Sequence, residues 1–272
     1  MRVIVTDSSA YLTRGEAERL GVVVVPMTYS LGGAVRPESY EGENGDYGRL
    51  INRYTVRLHT AQASRAAFVS AFRSLVQAGS EVLCVTMSSR MSGTYGNAVF
   101  AAREVDPRKV RVVDSLSTAG GLAQLVMRAR ALLDSGLELE EAAQALEALR
   151  EKVEIVFTVE DIEPLRRSGR IGSVKLSVST ILNIRPILRC VDGALVSSGI
   201  ARGRSDQRRQ LMQKLPQGIG RVVMMDSDAR EQADALAQAL AARGVAVERR
   251  PLGPVLAIHL GTGAVGLSWL DD

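Results

Sequence analysis

Val82-Leu83-Cys84-Val85, then Ser88-Ser89-Arg90-Met91-Ser92-Gly93-Thr94-Tyr95, then Asn97-Ala98-Val99-Phe100-Ala101-Ala102: this stretch decides how the chain is read. The first run is short, continuous and apolar, as a strand buried on both faces must be. The last is compatible with a helix. Between them lies a hydroxyl-rich turn that contains glycine. Such a turn points free N–H donors at one spot, and orphan amides and the helix dipole both favour an anionic group there. Strand, turn and helix in this order form the repeating unit of an α/β sheet, so one segment supplies both a fold class and a candidate site.

Working outward, the same texture recurs. Arg2 to Thr6 is a β-branched run that ends at Asp7-Ser8-Ser9, and Val110 to Val113 ends at Asp114-Ser115. Gly21 to Val25 is a strand stopped by Pro26. Leu31 to Asp46 reads as an irregular or hairpin segment, with a turn at Gly32-Gly33. Phe68 to Ala78 is a helix ending at Gly79. Leu122, Leu125, Val126, Ala129, Leu132 and Leu133 form a helical stripe closed by Gly136, and Leu139 to Val153 carries another. Alternating strands and helices predict a doubly wound, mostly parallel sheet over residues 1–153. In such sheets the ligand crevice lies beyond the carboxyl ends of the strands.

From Glu154 the texture changes. Ile155 to Val159 is a strand, and Leu165 to Gly172 is a basic turn. Ile184–Leu188 and Ala194–Ser198 pair as a hairpin around Asp192-Gly193, a type I′ signal. Val222 to Met225 is a strand. Asp228 to Glu231 has the pattern of a capping box and opens a helix to Ala242, closed by Gly244. Val245 to Arg249 and Val255 to His259 read as strands. These elements predict a smaller α+β domain with a mixed sheet over residues 154–272.

Composition narrows the function. The chain has 272 residues, 46% hydrophobic and 24% charged, which is ordinary for a globular protein. The net charge of +4 is mild and its basic residues are dispersed, which argues against nucleic acid. Cys84 and Cys190 lie in apolar runs far apart, as small buried hydrophobes of a reducing compartment do. No Cys/His cluster has metal-ligand spacing. The N-terminus lacks a signal-peptide layout and no apolar run is long enough for a membrane span. The expectation is a cytoplasmic protein without metal.

The residues alone leave Ser92 between three roles: helix N-cap, ligand donor and nucleophile. The turn lacks the G-x-S-x-G pattern of a hydrolase elbow, and the chain has only two histidines, His59 and His259. There is no Walker-type or dinucleotide-type glycine loop. His259 is followed by Gly261 and Gly263, which permit close backbone approach. Thr60 alone reads as a loop or cap residue. Arg170, Arg202 and Arg204 lie in glycine-containing turns and could be solvated charge or a docking patch.

Taken in order, these segments resemble the DegV family of bacterial fatty-acid-binding proteins, the carrier component of the fatty acid kinase system. The resemblance rests on Val5-Thr6-Asp7-Ser8-Ser9, Val24-Val25-Pro26-Met27, Thr60-Ala61-Gln62-Ala63-Ser64, Ser88 through Tyr95, Asp114-Ser115, Leu165 through Ile171, Ile181 through Leu188, and His259-Leu260-Gly261-Thr262-Gly263. It implies a fatty acid in a tunnel between two domains. The carboxylate would be held by Thr60, Ser92 with Gly93, and His259. It implies no catalysis and no cofactor: a separate kinase phosphorylates the bound acid for phospholipid synthesis, meeting the carrier near Arg170 and Arg202. The alternative is a Ser/His hydrolase with Ser92 as nucleophile, and a third reading is a binding module for another small carboxylate or phosphate. Leu260 and Thr262 replace a Thr and a Pro of the family pattern, and Ala61 and Ala63 replace a Ser and a Pro. The three carboxylate donors are retained.

Overall fold

A computed structural model describes residues 1–53, 58–170 and 184–270. The chain begins β1 (Arg2–Asp7), α1 (Arg14–Leu20), β2 (Val22–Val25), β3 (Thr28–Leu31), β4 (Ala34–Pro37), α2 (Tyr47–Arg53) and β5 (His59–Ala61). It continues α3 (Arg65–Gln77), β6 (Glu81–Thr86), α4 (Thr94–Val105), β7 (Val110–Asp114), α5 (Ala119–Asp134) and α6 (Leu139–Arg150). Then follow β8 (Val153–Thr158), α7 (Glu163–Ser168), β9 (Ile184–Val191), β10 (Ala194–Arg202), α8 (Gly203–Gln213), β11 (Arg221–Ser227), α9 (Arg230–Ala241), β12 (Ala246–Pro251), α10 (Pro254–Leu260) and β13 (Ala264–Leu270).

Among the described residues the strands form three sheets. One is a four-stranded parallel sheet in the order β2-β1-β6-β7, with Ile4 opposite Val22 on one side and Leu83 on the other. Its central strands are apolar and buried on both faces, as parallel strands covered by helices require. From β1 the chain first adds β2 on one side and later β6 on the other. The crevice beyond the ends of β1 and β6 is therefore the switch point at which such sheets bind ligands. The second sheet is mixed, in the order β10-β9-β8-β13-β11-β12, with β11 and β12 its parallel pair. A small sheet, β4-β3-β5, completes the set. The expected α/β class, with a parallel sheet followed by a mixed one, is what the chain adopts.

Helix α5 joins the layers. Leu122, Leu125 and Val126 lie in the core of the parallel sheet. Its first turn lies against the mixed sheet, where a Cβ on Gly120 would come within 2.9 Å of Val223 and 3.0 Å of Met225. Glycine is what allows that approach.

Several local expectations are corrected. Val255 to His259 is not a strand but lies in α10, which starts with Pro254 and ends at Gly261. A short apolar run does not distinguish strand from helix by periodicity, and proline in the first helical turn was the signal for the latter. The basic turn from Leu165 is in part helix: α7 has Pro164 in its first turn and closes on left-handed Gly169, while Ile171 and Gly172 lie outside the described residues. Ile181 to Asn183 also lie outside them. The capping box at Asp228 does not form, because Asp228 is left-handed (φ 48°) and the cap position falls to Ala229. Thr60 sits on β5 rather than in a loop or cap. The Asp192-Gly193 turn does form, both residues having positive φ (47° and 76°), as type I′ requires.

Candidate functional site

The strand ends build the site's frame. Asp7, at the end of β1, is fully buried. Its Oδ2 accepts from Met87 N–H at 2.7 Å, and its Oδ1 accepts from Ser9 N–H and Ser9 Oγ. Burial pushes its carboxyl above the ordinary range, against those hydrogen bonds. Asp114, at the end of β7, accepts from Ser89 N–H at 3.1 Å. The two acids thus brace the 87–93 turn from both sides. Ser88 Oγ donates to Gly193 O at 2.7 Å, tying the turn to the tip of the β9–β10 hairpin. A Cβ on Gly193 would lie 2.5 Å from that oxygen.

Ser92 is not the cap of α4. Gly93 occupies the cap position, and Ser92 Oγ hydrogen-bonds Thr94 Oγ1 at 2.9 Å. Gly93 has a packing role: a Cβ there would lie 2.3 Å from Gln62 Oε1. Asn97 Nδ2 donates to Ala63 O at 2.8 Å. The 60–63 segment is therefore docked onto the start of α4, which brings Thr60 beside the serine turn.

From the other direction comes α10, which packs into the core of the parallel sheet through Val255, Ala257 and Ile258. Its His259 Nε2 lies 2.8 Å from Thr60 Oγ1. Burial, with help from the Arg170 charge, lowers the imidazole to about 4, so the ring is neutral near pH 7. His259 Nδ1 is buried without a hydrogen-bond partner among the described residues.

Thr60, Ser92 and His259 line one cavity of about 290 Å³, together with Gln62 and Arg170. That is close to the lower end of the ~300–1,000 Å³ usual for small-molecule sites. The rest of the wall is overwhelmingly apolar: Met27, Met87, Met91 and Met225, with Ile155, Phe157, Leu165, Leu252, Val255 and Leu256 among others. The strand residues of the wall come from the mixed sheet and from β5, while the parallel sheet contributes the turn beyond β6 through Met87, Met91 and Ser92. Arg170 Nε lies 3.4 Å from Met91 O, placing its exposed guanidinium at this end. Arg202 does not line the cavity; it lies exposed at the end of β10.

The sequence reading did not single out Gln62, Asn97 or Glu38. Their signals are spatial, since each acts on residues far off in the chain. Among the described residues no group of three or more Cys, His, Asp or Glu could hold a metal ion. None of their helices is long and apolar enough to cross a membrane.

An α/β chain with a parallel and a mixed sheet, in which mixed-sheet strands, the turn beyond β6 and α10 wall an apolar cavity with a polar end, defines the class. The family described as "Uncharacterised protein, DegV family" matches residues 2–272. The chain belongs to the DegV family. It is 30% identical to a DegV domain-containing protein of Halalkalibacterium halodurans, over 98% of this chain and 97% of that one. It is similar to a DegV family protein from Thermus thermophilus described for its fatty acid binding (TM-score 0.90, 31% identity, 100% and 99% of the chains covered). It is also similar to a stearic-acid-binding protein from Eubacterium ventriosum (TM-score 0.89, 25% identity, 98% and 97% covered).

Proposed function

We propose that this protein binds one long-chain fatty acid in the cavity, its carboxylate held by Thr60, Ser92 and His259, and does no chemistry on it. The observation that carries this reading is the Thr60–His259 pair at the polar end of an apolar cavity. Burying an acyl chain gains about 0.8 kcal/mol per CH₂ before ordering costs. The carboxylate then needs donors, because a buried unpaired charge is expensive. The Thr60–His259 bond can run in either direction; with the proton of the neutral ring on Nε2 it leaves the Thr60 O–H for the ligand, and His259 then holds the carboxylate through Thr60. Ser92 Oγ, which among the described residues bonds Thr94 alone, is a second donor, and Arg170 adds positive charge.

The hydrolase alternative fits less well. A base for Ser92 should hold the serine hydroxyl, whereas His259 Nε2 is engaged with Thr60, and an imidazole titrating near 4 is a weak base. In our reading residues 1–153 and 154–272 are two domains with the tunnel between them. The carrier works in the cytoplasm and presents its acid to a separate kinase, which docks near Arg170 and Arg202 and forms an acyl phosphate for phospholipid synthesis. Native mass spectrometry of the purified protein should show a copurified long-chain acid. A protein that stays empty after incubation with saturated and unsaturated acids would reject the proposal. Loss of kinase-dependent acyl phosphate in an Arg170→Ala/Arg202→Ala variant that still binds acid tests the docking surface.

A further inference from the structure

Helix α10 starts without a side-chain cap of its own: Gly253 precedes it and Pro254 has no N–H. Its first amide, Val255 N–H, donates instead to Glu38 Oε1 at 2.9 Å. Glu38 follows β4 and is only 2% exposed. Its Oε2 accepts from Ser8 Oγ at 2.7 Å, and Ser8 Oγ accepts in turn from Met27 N–H at 3.1 Å. The Tyr11 hydroxyl accepts Leu256 N–H at 3.2 Å, next to the amide that Glu38 holds. A Cβ on Gly253 would lie 2.6 Å from both Glu38 Oε1 and the Tyr11 ring, so glycine lets the carboxyl reach the helix. The first turn of α10 is thus held from the opposite end of the sequence. His259 lies about one turn further along the same helix. Glu38 itself is not among the residues lining the cavity.

We propose that Glu38 is a positioning residue for head-group recognition: it caps α10 across the fold and thereby sets where His259 meets Thr60 and the ligand. The proposal rests on the reading that these two residues hold a fatty-acid carboxylate. Burial raises the Glu38 carboxyl to about 7, against the bonds from Ser8 and Val255. The titratable groups facing it are Asp7 on β1, Tyr11, Tyr29 on β3 and Tyr47 on α2. Ionised, the carboxylate accepts from Ser8 Oγ and Val255 N–H together. Protonated, it becomes a donor on one oxygen and must turn one of those donors away. The cap therefore tightens as pH rises through this range.

Affinities of hexadecanoic acid and hexadecan-1-ol, measured by displacement of a fluorescent acyl probe, separate this role from a merely structural one. Glu38→Ala should weaken the acid by about tenfold while leaving the alcohol nearly unchanged. In wild type, the preference for acid over alcohol should rise between about pH 6 and about pH 8 by more than in Glu38→Gln, a comparison that cancels the titration of the ligand itself. Equal weakening of both ligands in Glu38→Ala overturns the proposal, as do superimposable pH profiles in wild type and Glu38→Gln. Should Glu38→Ala fail to fold, the Glu38→Gln comparison decides alone. Wild type that binds the acid no better than the alcohol refutes the carboxylate reading itself.

Discussion

Two polar clusters tie the first part of this chain to the last, and they spend their hydrogen bonds differently. In one, Arg250 on β12 is buried and directs both terminal nitrogens at fixed partners. Nη1 donates to Tyr11 O at 2.7 Å and Glu16 Oε2 at 2.9 Å, and Nη2 donates to Glu16 Oε1 at 2.8 Å and to Glu248. In the other, Thr60 and His259 hold one bond between them, His259 Nδ1 has no partner among the described residues, and Ser92 exchanges its bond with a neighbouring threonine. The first cluster lies outside the cavity and the second lines it. Polar groups bonded to one another act as a bolt between elements. Polar groups facing an apolar cavity with valence to spare are where a ligand can exchange its water for protein.

Breaking the bolt should have the largest effect. Arg250→Ala leaves the Glu16 and Glu248 carboxylates and Tyr11 O without their cation, a loss of about 3–5 kcal/mol for a broken buried pair. Urea denaturation should show this drop, while the fraction still folded should bind fatty acid with wild-type affinity. Binding lost at unchanged stability would mean that the two clusters are one system.

The pH dependence of stability comes next and has a definite sign. Burial raises Glu16, but its bonds to Arg250 and Thr13 prevail and bring it to about 2. Its contribution is present above the unfolded carboxyl range and lost as pH falls toward 2. Glu38 and Glu41 go the other way: burial lifts both to about 7. Their contribution is full below about pH 4.5 and is lost as pH rises through about 7, on the order of 3 kcal/mol for Glu38 alone. Stability should therefore decline between about pH 5 and about pH 8. Glu38→Gln should flatten part of that decline in a series of chemical melts, and an unchanged slope would remove Glu38 from the account.

The contrast between clusters also explains what was legible in the sequence. The parallel half could be read because β1, β6 and β7 are short, mostly apolar β-branched runs that lead into Asp or Ser, and such runs carry their environment with them. The Asp192-Gly193 hairpin was legible for the same local reason. Helix α10 was not, since Val255 and Ile258 favour a strand locally and the helix is held by Glu38 and Tyr11 from far away. Nor were α8 and β13 evident: α8 is mostly polar, and β13 is an apolar run whose neighbours β8 and β11 lie remote in sequence. At the candidate site, Ser92 stood out by its strand–turn–helix setting, while Thr60 and His259 were joined to it only through a family pattern; the three line one cavity. Gln62 lay inside the Thr60–Ser64 segment without its role being visible there, and Asn97 and Glu38, which also act across the fold, leave no mark within their own segments.

Weakening the open cluster should cost less than breaking the bolt, and should cost it in binding. Thr60→Val keeps the shape of the side chain but removes the hydroxyl between His259 and the ligand. A hydrogen bond to a charged group contributes about 1.5–3 kcal/mol, so the dissociation constant for a long-chain acid should rise by roughly 10- to 150-fold. The melting temperature of the empty protein should barely move. A Thr60→Val protein that binds acids normally would place the head group elsewhere in the cavity.

The smallest effect is expected in the cavity wall, and it sharpens the comparison most finely. Met27, Met87, Met91 and Met225 all line the cavity. Methionine is unbranched and polarizable, so it adapts to the shape of an acyl chain instead of fixing one point of it. Met87→Leu conserves volume and should cost less than about 1.5 kcal/mol in affinity for any long-chain acid. It should also weaken acid and alcohol alike, because a wall contact does not sense the head group. Met225 differs in one respect: its sulfur accepts Gly120 N–H at 3.1 Å, at the start of α5. Met225→Leu removes that acceptor and should lower stability more than Met87→Leu does. If Met87→Leu instead changed the preference for acid over alcohol, wall and head-group cluster would be coupled, and the division of labour between area and valence would fail.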